Sequence, residues 1–180
     1  MKQDYRVLIC GSRHWKHPRA ITDVLDALLL SHGDRLVVIE GMAQGADWTA
    51  HRWNLDHGLD TSHRRHRCFP VNWGQARRNG GNWKLAGPNR NARMAAVRPH
   101  MVVAFHDRLV TSSGGTSDML MKARQCNIPA TLFVDGDGTP GHVPTLDEFN
   151  DYRRRTSERM LLAHRAPLVH RTPPYRSSAP

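Results

Sequence analysis

The chain has 180 residues, 39% of them hydrophobic, a length that suits one domain with a full core and some appended chain. No apolar run approaches the roughly 18 residues that cross a bilayer, and the sequence MKQDYRVLICG passes directly into a strand pattern. We therefore expect a cytoplasmic protein without a membrane span. The three cysteines form no CxxC pair and are expected to be buried free thiols.

The formal net charge of +10 is unevenly distributed. The segment 149–180 has seven arginines against two acidic residues, and nine lysines and arginines stand between Asp60 and Asp107, where no acidic residue occurs. Such a stretch carries a positive potential that suits an anionic ligand, although a basic surface that only keeps the protein soluble is the alternative. Likewise, we expect Arg153–Arg155 either to bind nucleic acid or to form only a solvent-exposed face of a helix.

Short β-rich runs alternate with helical patterns along the chain. The β-rich runs predict strands at 6–10, 36–39, within 62–69, 101–105 and 130–134. Helical periodicity predicts helices at 18–33, 46–57, 89–96 and from the turn 111–115 to residue 126, with a loop at 72–88. The third strand is polar, which indicates a sheet edge. Repeated βα units predict a Rossmann-like α/β fold, with a mainly parallel sheet of about five strands and helices on both faces.

The composition changes near residue 136. We predict a Rossmann-like domain at 1–136 and a C-terminal extension at 137–180. In this extension, one helix spans about 146–162 and the basic tail that follows is disordered.

Three of the predicted strands are followed by loops of glycine and small polar residues: 11–15, 41–47 and 112–119. In an open α/β sheet, ligands bind outside the carboxyl ends of the strands. Glycine lets a phosphate approach the backbone, side chains such as Arg13 donate hydrogen bonds, and the following helix supplies its positive end. Each loop alone is also compatible with ordinary turn chemistry, and Asp47 with a simple helix cap. Gly114-Gly115-Thr116 is the strongest phosphate candidate, since a glycine pair, a hydroxyl and a helix start coincide there.

The predicted ligand-binding residues are Gly11, Ser12, Arg13, Trp15, Gly41, Ala43, Gly45, Asp47, Trp73, Asn91, Gly114, Gly115 and Thr116. Two interpretations of Trp15 and Trp73 stay open, stacking on a base or packing within the protein. No metal and no cofactor are expected. His63 and His66 lie among arginines that repel a cation, while His51 and His57 are six residues apart and do not share a helix face.

An ordered set of motifs is similar to a known family: GSRHW, EGMAQGADWTAHRW, FPVNW, GPNRNARM and GGTSDMLMKA. Over roughly residues 5–134 the chain resembles the YspA-like branch of the SLOG superfamily. That superfamily also contains the LOG cytokinin-activating phosphoribohydrolases and the DNA-processing protein DprA. The resemblance implies a Rossmann-like domain that binds a nucleotide-like small molecule and forms a homo-oligomer.

The LOG hydrolases carry patterns like RKxxM and PGGxGTxxE. Here Arg90 and Met94 keep the first spacing and Gly115-Thr116 match the second, but Met119 stands at the glutamate position. Asp118 is one position earlier, and on a helix this offset rotates the side chain by about 100°. The resemblance therefore implies phosphate binding more strongly than hydrolysis. Two alternatives stay open, a phosphoribohydrolase with Arg90 and Asp118 as catalytic residues and DprA-like nucleic-acid binding through the basic stretch and tail.

Overall fold

The computed structural model describes residues 3–59, 64–78, 82–109, 114–134, 140–151 and 154–155. The strands are β1 (Tyr5–Gly11), β2 (Leu36–Glu40), β3 (His66–Cys68), β4 (Met101–Phe105), β5 (Ala130–Phe133) and β6 (Pro140–Gly141). The helices are α1 (Pro18–His32), α2 (Ala46–Asp56), α3 (Trp73–Arg78), α4 (Ala86–Ala96) and α5 (Gly115–Gln125), and a further helix begins at residue 146.

The strands form one sheet in the order β3-β2-β1-β4-β5-β6, in which the first five are parallel and β6 is antiparallel to β5. This confirms the Rossmann-like α/β fold. The chain leaves β1 toward β2 on one side and returns to β4 on the other, so the topological switch point lies between β1 and β4. A crevice outside the carboxyl ends of these two strands is the usual place for a ligand in such a sheet.

Successive residues of the strands point to opposite faces, and each face has its own hydrophobic core. Val7 and Ile9 of β1 pack with residues of α1 and α2, such as Leu25 and Trp53. Leu8 on the same strand faces the other way, toward a core built from α4 and α5. The apolar runs in the sequence follow from this arrangement, because a strand covered by helices on both sides is hydrophobic at every position.

The predicted polar edge strand is confirmed, since β3 ends the sheet on one side. The predicted loop at 72–88 is partly wrong: α3 lies within it, and α4 begins at Ala86 rather than at residue 89. None of the residues of α3 is buried, so no apolar periodicity marks it. Pro88 lies in the first turn of α4, where a missing N–H costs no hydrogen bond.

The first part of the predicted extension packs onto the sheet. Pro140–Gly141 pair with β5, and Val143 and Phe149 are buried in the core of the α4–α5 face. Thr145 and Glu148 form a reciprocal capping box at the start of the helix at 146, with the backbone N–H of Thr145 donating to Glu148 Oε2 over 2.7 Å. Residues 146–151 and 154–155 are helical, and the rest of the predicted helix and tail lies outside the described residues.

The three cysteines form no disulfide, but the prediction that they are buried holds fully only for Cys10, because Cys68 is half-buried and Cys126 is exposed. Among the described residues, no helix combines the length and the apolar character needed to cross a membrane.

Candidate functional site

A cavity of about 340 Å³ lies at the switch point, between the loops that follow β1 and β4. It brings together most of the residues that the sequence singled out: Gly11, Ser12, Arg13, Ala43, Asp47, Arg90, Asn91, Gly114, Gly115 and Thr116. Cys10, His14 and His106 line it as well and were missed. His106 directly follows β4, and His14 lies in the first glycine loop, so their positions after strands were the available signal.

The floor of the cavity depends on a close approach of β1 to β4 and α2. A Cβ atom at Gly11 would lie 2.3 Å from the backbone oxygen of Phe105 and 2.7 Å from Cβ of Ala46. The next backbone N–H, that of Ser12, donates to the same Phe105 oxygen over 2.8 Å. Glycine at position 11 is therefore required by packing, whether or not a ligand is present.

The first two loops are also packed against each other. Gly45 has a φ of +80°, and a Cβ there would lie 2.2 Å from the backbone oxygen of Ser12, which accepts a hydrogen bond from Ala46 N. Gly45 does not line the cavity. Its role in the structure is to let the second loop approach the first.

Arg90 reaches the cavity from α4. Its Nη1 donates to the backbone oxygen of Gly41 over 2.6 Å and lies 3.6 Å from Asp47 Oδ2. Gly41 leaves room for this contact, because a Cβ there would lie 1.5 Å from Nη1. The Nε of Arg90 is buried and has no hydrogen-bond partner among the described residues. The wall of the cavity thus carries a guanidinium whose donors are incompletely used.

Asp47 is a buried carboxylate in the same wall. Its Oδ2 accepts from the backbone N–H of Gly41 over 3.1 Å, so the side chain fixes the second loop. The helix-cap interpretation of Asp47 is wrong, since the N-cap of α2 is Gly45 and Asp47 lies within the helix. Burial raises the pKa of Asp47 to about 7, although the charge of Arg90 opposes this rise, and the charge of Glu40 adds to it. The net charge of the cavity therefore changes near neutral pH.

The third loop ends at the N-terminus of α5. Gly114 has a φ of +68°, and a Cβ at either Gly114 or Gly115 would meet no atom of the described residues within 4 Å. The space in front of this helix start is therefore open, in contrast to the space around Gly11. Asn91 fixes the loop from α4, since its Nδ2 donates to the backbone oxygen of Gly115 over 2.9 Å. Thr116 is buried beside it.

Comparisons with known proteins assign the chain to a family. Residues 5–74 match the family described as YspA, cpYpsA-related SLOG. The chain is also 33% identical over 135 residues to the Gene 61 protein of Mycobacterium phage D29, an alignment that covers 72% of this chain and 97% of that protein. The chain belongs to this SLOG family. No solved structure matches it.

In this SLOG domain the two residues of the hydrolase alternative have different surroundings. Arg90 lines the cavity, whereas Asp118 does not. The carboxylate of Asp118 accepts from Asn91 Nδ2 over 2.8 Å and pairs with Lys122. Met119, at the position of the LOG glutamate, is fully buried in the core. A carboxylate at position 119 would thus point into the core, and the carboxylate that does line the cavity is Asp47.

Trp15 and Trp73, the two tryptophans among the predicted ligand-binding residues, also have different surroundings. Trp15 is buried: its ring packs against Phe105, and its Nε1 donates to the backbone oxygen of His17 over 2.8 Å. Trp73 is 36% exposed and lines a second cavity of about 350 Å³, which shares Arg13, Ala43 and Arg90 with the first. Gly41 lines this second cavity too. Trp73 is therefore available to a ligand, and Trp15 is a packing residue in this conformation.

The basic stretch is partly neutralised in space. Arg64 and Arg65 pair with Asp4 and Asp34, at 3.4 and 3.2 Å, although these acidic residues lie far from them in the sequence. Arg77 lies over the ring of Trp83. Of the nine basic residues in the stretch, Arg90 is the one that lines both cavities.

Proposed function

We propose that this SLOG domain binds a nucleotide or a nucleotide-derived phosphate, as a sensor or a sequestering protein. The observation that carries the proposal is the convergence of three glycine-bearing loops and Arg90 on one cavity at the switch point. Backbone N–H groups at the open start of α5 and the guanidinium of Arg13 are the donors that a phosphate needs. Membership in the family supports a nucleotide-related function in general terms.

We place the phosphate between Gly115 and Arg13, and the base in the second cavity, against Trp73. Trp73 offers a ring face of which about a third is exposed, and an aromatic face stacks on any base. Arg90 lies where the two cavities meet and would neutralise charge between phosphate and sugar. This placement makes the ligand span both cavities and favours a whole nucleotide over inorganic phosphate.

The test compares Arg13→Ala with Arg19→Ala, because both arginines are exposed but only Arg13 lines the cavities. Binding of nucleoside mono-, di- and triphosphates and of ADP-ribose is measured by calorimetry, with inorganic phosphate and adenosine as references. Loss of a hydrogen bond to a charged group, about 1.5 kcal/mol or more, predicts at least about tenfold weaker binding for Arg13→Ala. Equal affinities of the two variants would show that the phosphate lies elsewhere.

Gly115→Ala tests the site at α5 in the same way. Its methyl group would enter the open space in front of the helix, so the fold is kept while a phosphate is displaced. Gly74→Ala is the matched control, since a Cβ there makes only ordinary contacts, at 3.6 Å. We expect nucleotide binding to be weakened by Gly115→Ala alone.

Hydrolysis is the enzyme alternative, and it is tested by incubating the protein with nucleoside 5′-monophosphates and measuring released base by chromatography. The position of Asp118, outside the cavity and paired with Lys122, favours a binder. Nucleotide binding without base release, even at high protein concentration, supports that view. Base release that is lost in Asp118→Asn would instead establish the phosphoribohydrolase.

Nucleic-acid binding is a second candidate, favoured by one local observation. Trp73 and Trp83 are both partly exposed, with their ring centres 6.5 Å apart, and Trp73 lines the second cavity. Arg77 lies 5.0 Å from the ring centre of Trp83. Exposed aromatic rings with arginines are typical of surfaces that bind single strands. Binding of a single-stranded oligonucleotide should then fall steeply with salt and weaken in Trp83→Ala. A chain that ends at Arg155 tests whether the tail contributes to this oligonucleotide binding. This shorter chain keeps Phe149, which is a core residue.

A further inference from the structure

Four potential metal ligands meet at the β2–β3 edge of the sheet, outside the nucleotide cavity. In the parallel register Glu40 lies beside Cys68, and Val38 lies beside His66. His66 and Cys68 are two residues apart on β3, so their side chains share one face of the sheet. That face is covered by α2, which contributes His51. Residues from three elements thus converge on one point.

Four of the distances between the ligand atoms are close to those in a tetrahedral site, and all the ligand atoms lie within 4.8 Å of one another. Glu40 Oε1 lies 3.1 Å from both His51 Nδ1 and His66 Nε2. Cys68 Sγ lies 3.3 Å from His66 Nε2 and 3.7 Å from His51 Nδ1. A zinc ion with bonds of about 2.0 Å to nitrogen and oxygen and about 2.3 Å to sulfur separates its ligand atoms by about 3.3–3.6 Å. The cluster needs little rearrangement to hold one.

The charges of the cluster also suit a buried divalent cation. The side chains of Glu40 and His66 are fully buried, and that of His51 is 12% exposed. One carboxylate, one thiolate and two neutral imidazoles together carry two negative charges, which a divalent ion balances. The second oxygen of Glu40 is held by the backbone N–H of Met42, which orients the carboxylate.

The arginines that flank His66 in the sequence do not oppose a cation there. Arg67 points away from His66, because neighbouring residues of a strand face opposite sides, and Arg65 lies before the strand. Arg65 Nη1 pairs with Asp34 at 3.2 Å, and Arg67 is exposed. The repulsion expected from the sequence is therefore absent from this face of the sheet.

We propose that Glu40, His51, His66 and Cys68 bind one Zn²⁺ ion in a closed tetrahedral site. Four protein ligands leave no open position for a substrate, which makes the role structural rather than catalytic. β3 has three residues and lies at the sheet edge, so its own hydrogen bonds hold it weakly. The ion would hold β3 and α2 to β2. The segment 41–47, which follows β2, contributes Ala43 and Asp47 to the cavity at the switch point.

The experiment measures metal binding by the purified full-length chain. Elemental analysis gives the bound zinc, and titration of the metal-free protein with ZnCl₂ against a chromophoric chelator gives the affinity. Structural zinc sites lead us to expect one equivalent with a dissociation constant of roughly 50 nM or tighter. Co²⁺ in place of zinc should give the visible spectrum of a tetrahedral ion, together with a near-ultraviolet thiolate-to-cobalt band.

Two cysteine variants assign the site. Cys68→Ser should abolish the thiolate band and weaken zinc binding at least about a hundredfold, whereas Cys126→Ser, which changes an exposed free cysteine, should change neither. Chelation should also lower the melting temperature of the wild-type protein, a readout that does not depend on the folding of any variant. Substoichiometric zinc without a thiolate band, an adventitious ion only, would overturn the proposal. A band that survives in Cys68→Ser would overturn it too.

Discussion

Gly11→Ala tests the packing that forms the floor of the cavity. The substitution adds one methyl group, and its carbon would lie 2.3 Å from the backbone oxygen of Phe105. Ordinary contact between a carbon and an oxygen needs about 1 Å more than this, so β1 and β4 must separate locally. The two strands are in register at this point, with Gly11 opposite Phe105. The strain therefore falls on the pairing of the two central strands.

The expected cost comes from three contributions. Overpacking of a tight interior costs about 1–3 kcal/mol. Loss or weakening of the hydrogen bond from Ser12 N to the Phe105 oxygen adds up to about 1 kcal/mol. The smaller entropy of an unfolded chain with alanine offsets about 0.4–1 kcal/mol of this. We expect the free energy of unfolding to fall by about 2 kcal/mol.

The assay is urea unfolding followed by tryptophan fluorescence, with Gly115→Ala as the matched control. Gly115 lines the same cavity, but a Cβ there meets no atom of the described part of the chain within 4 Å. The free energy of unfolding of Gly115→Ala should therefore be unchanged or slightly higher. The urea midpoint should drop for Gly11→Ala at a constant slope. If the two variants unfold within about 0.5 kcal/mol of each other, the close approach of β1 to β4 is not as tight as the geometry indicates.

Three further predictions concern buried residues. The folded protein keeps a proton on Asp47 up to about pH 7, whereas the ordinary pKa of this group is 3.8. The melting temperature of the wild-type protein should therefore fall as pH rises from about 4 to about 7, because the unfolded chain loses this proton first. Melting curves of Asp47→Asn should lack that decline. Met119→Glu should lower the free energy of unfolding in urea by more than about 3 kcal/mol, since the residue is fully buried, and it should produce no hydrolase activity. Met119→Leu should lower it by less than about 1.5 kcal/mol. Phe149→Ala should cost about 3–5 kcal/mol, and an unchanged urea midpoint would show that the segment after β6 does not belong to the core.

Much of the fold could be predicted because its signals are local. Apolar runs such as Val7–Ile9 mark strands covered on both faces, and the polar run around His66 marks an edge. The meeting of the glycine loops follows from one further rule, since all parallel strands that are followed by helices end at the same edge of a sheet. The two-residue strand β6 and the exposed helix α3 escaped this reasoning because neither is long or apolar enough to show a period.

What the sequence determined by itself was the sheet, its edge strand and the chemical character of the cavity: glycines, hydroxyls and arginines after strands. Only the tertiary structure decided what each side chain contacts. It buries Trp15, exposes Trp73 and turns Asp118 away from the cavity. It also joins Glu40 to Cys68, 28 positions away, through the register of two parallel strands. Sequence spacing reveals metal ligands that share one helix or one turn. Glu40, Cys68 and the two histidines of the proposed zinc site become neighbours only through strand pairing and helix packing, which no local pattern encodes.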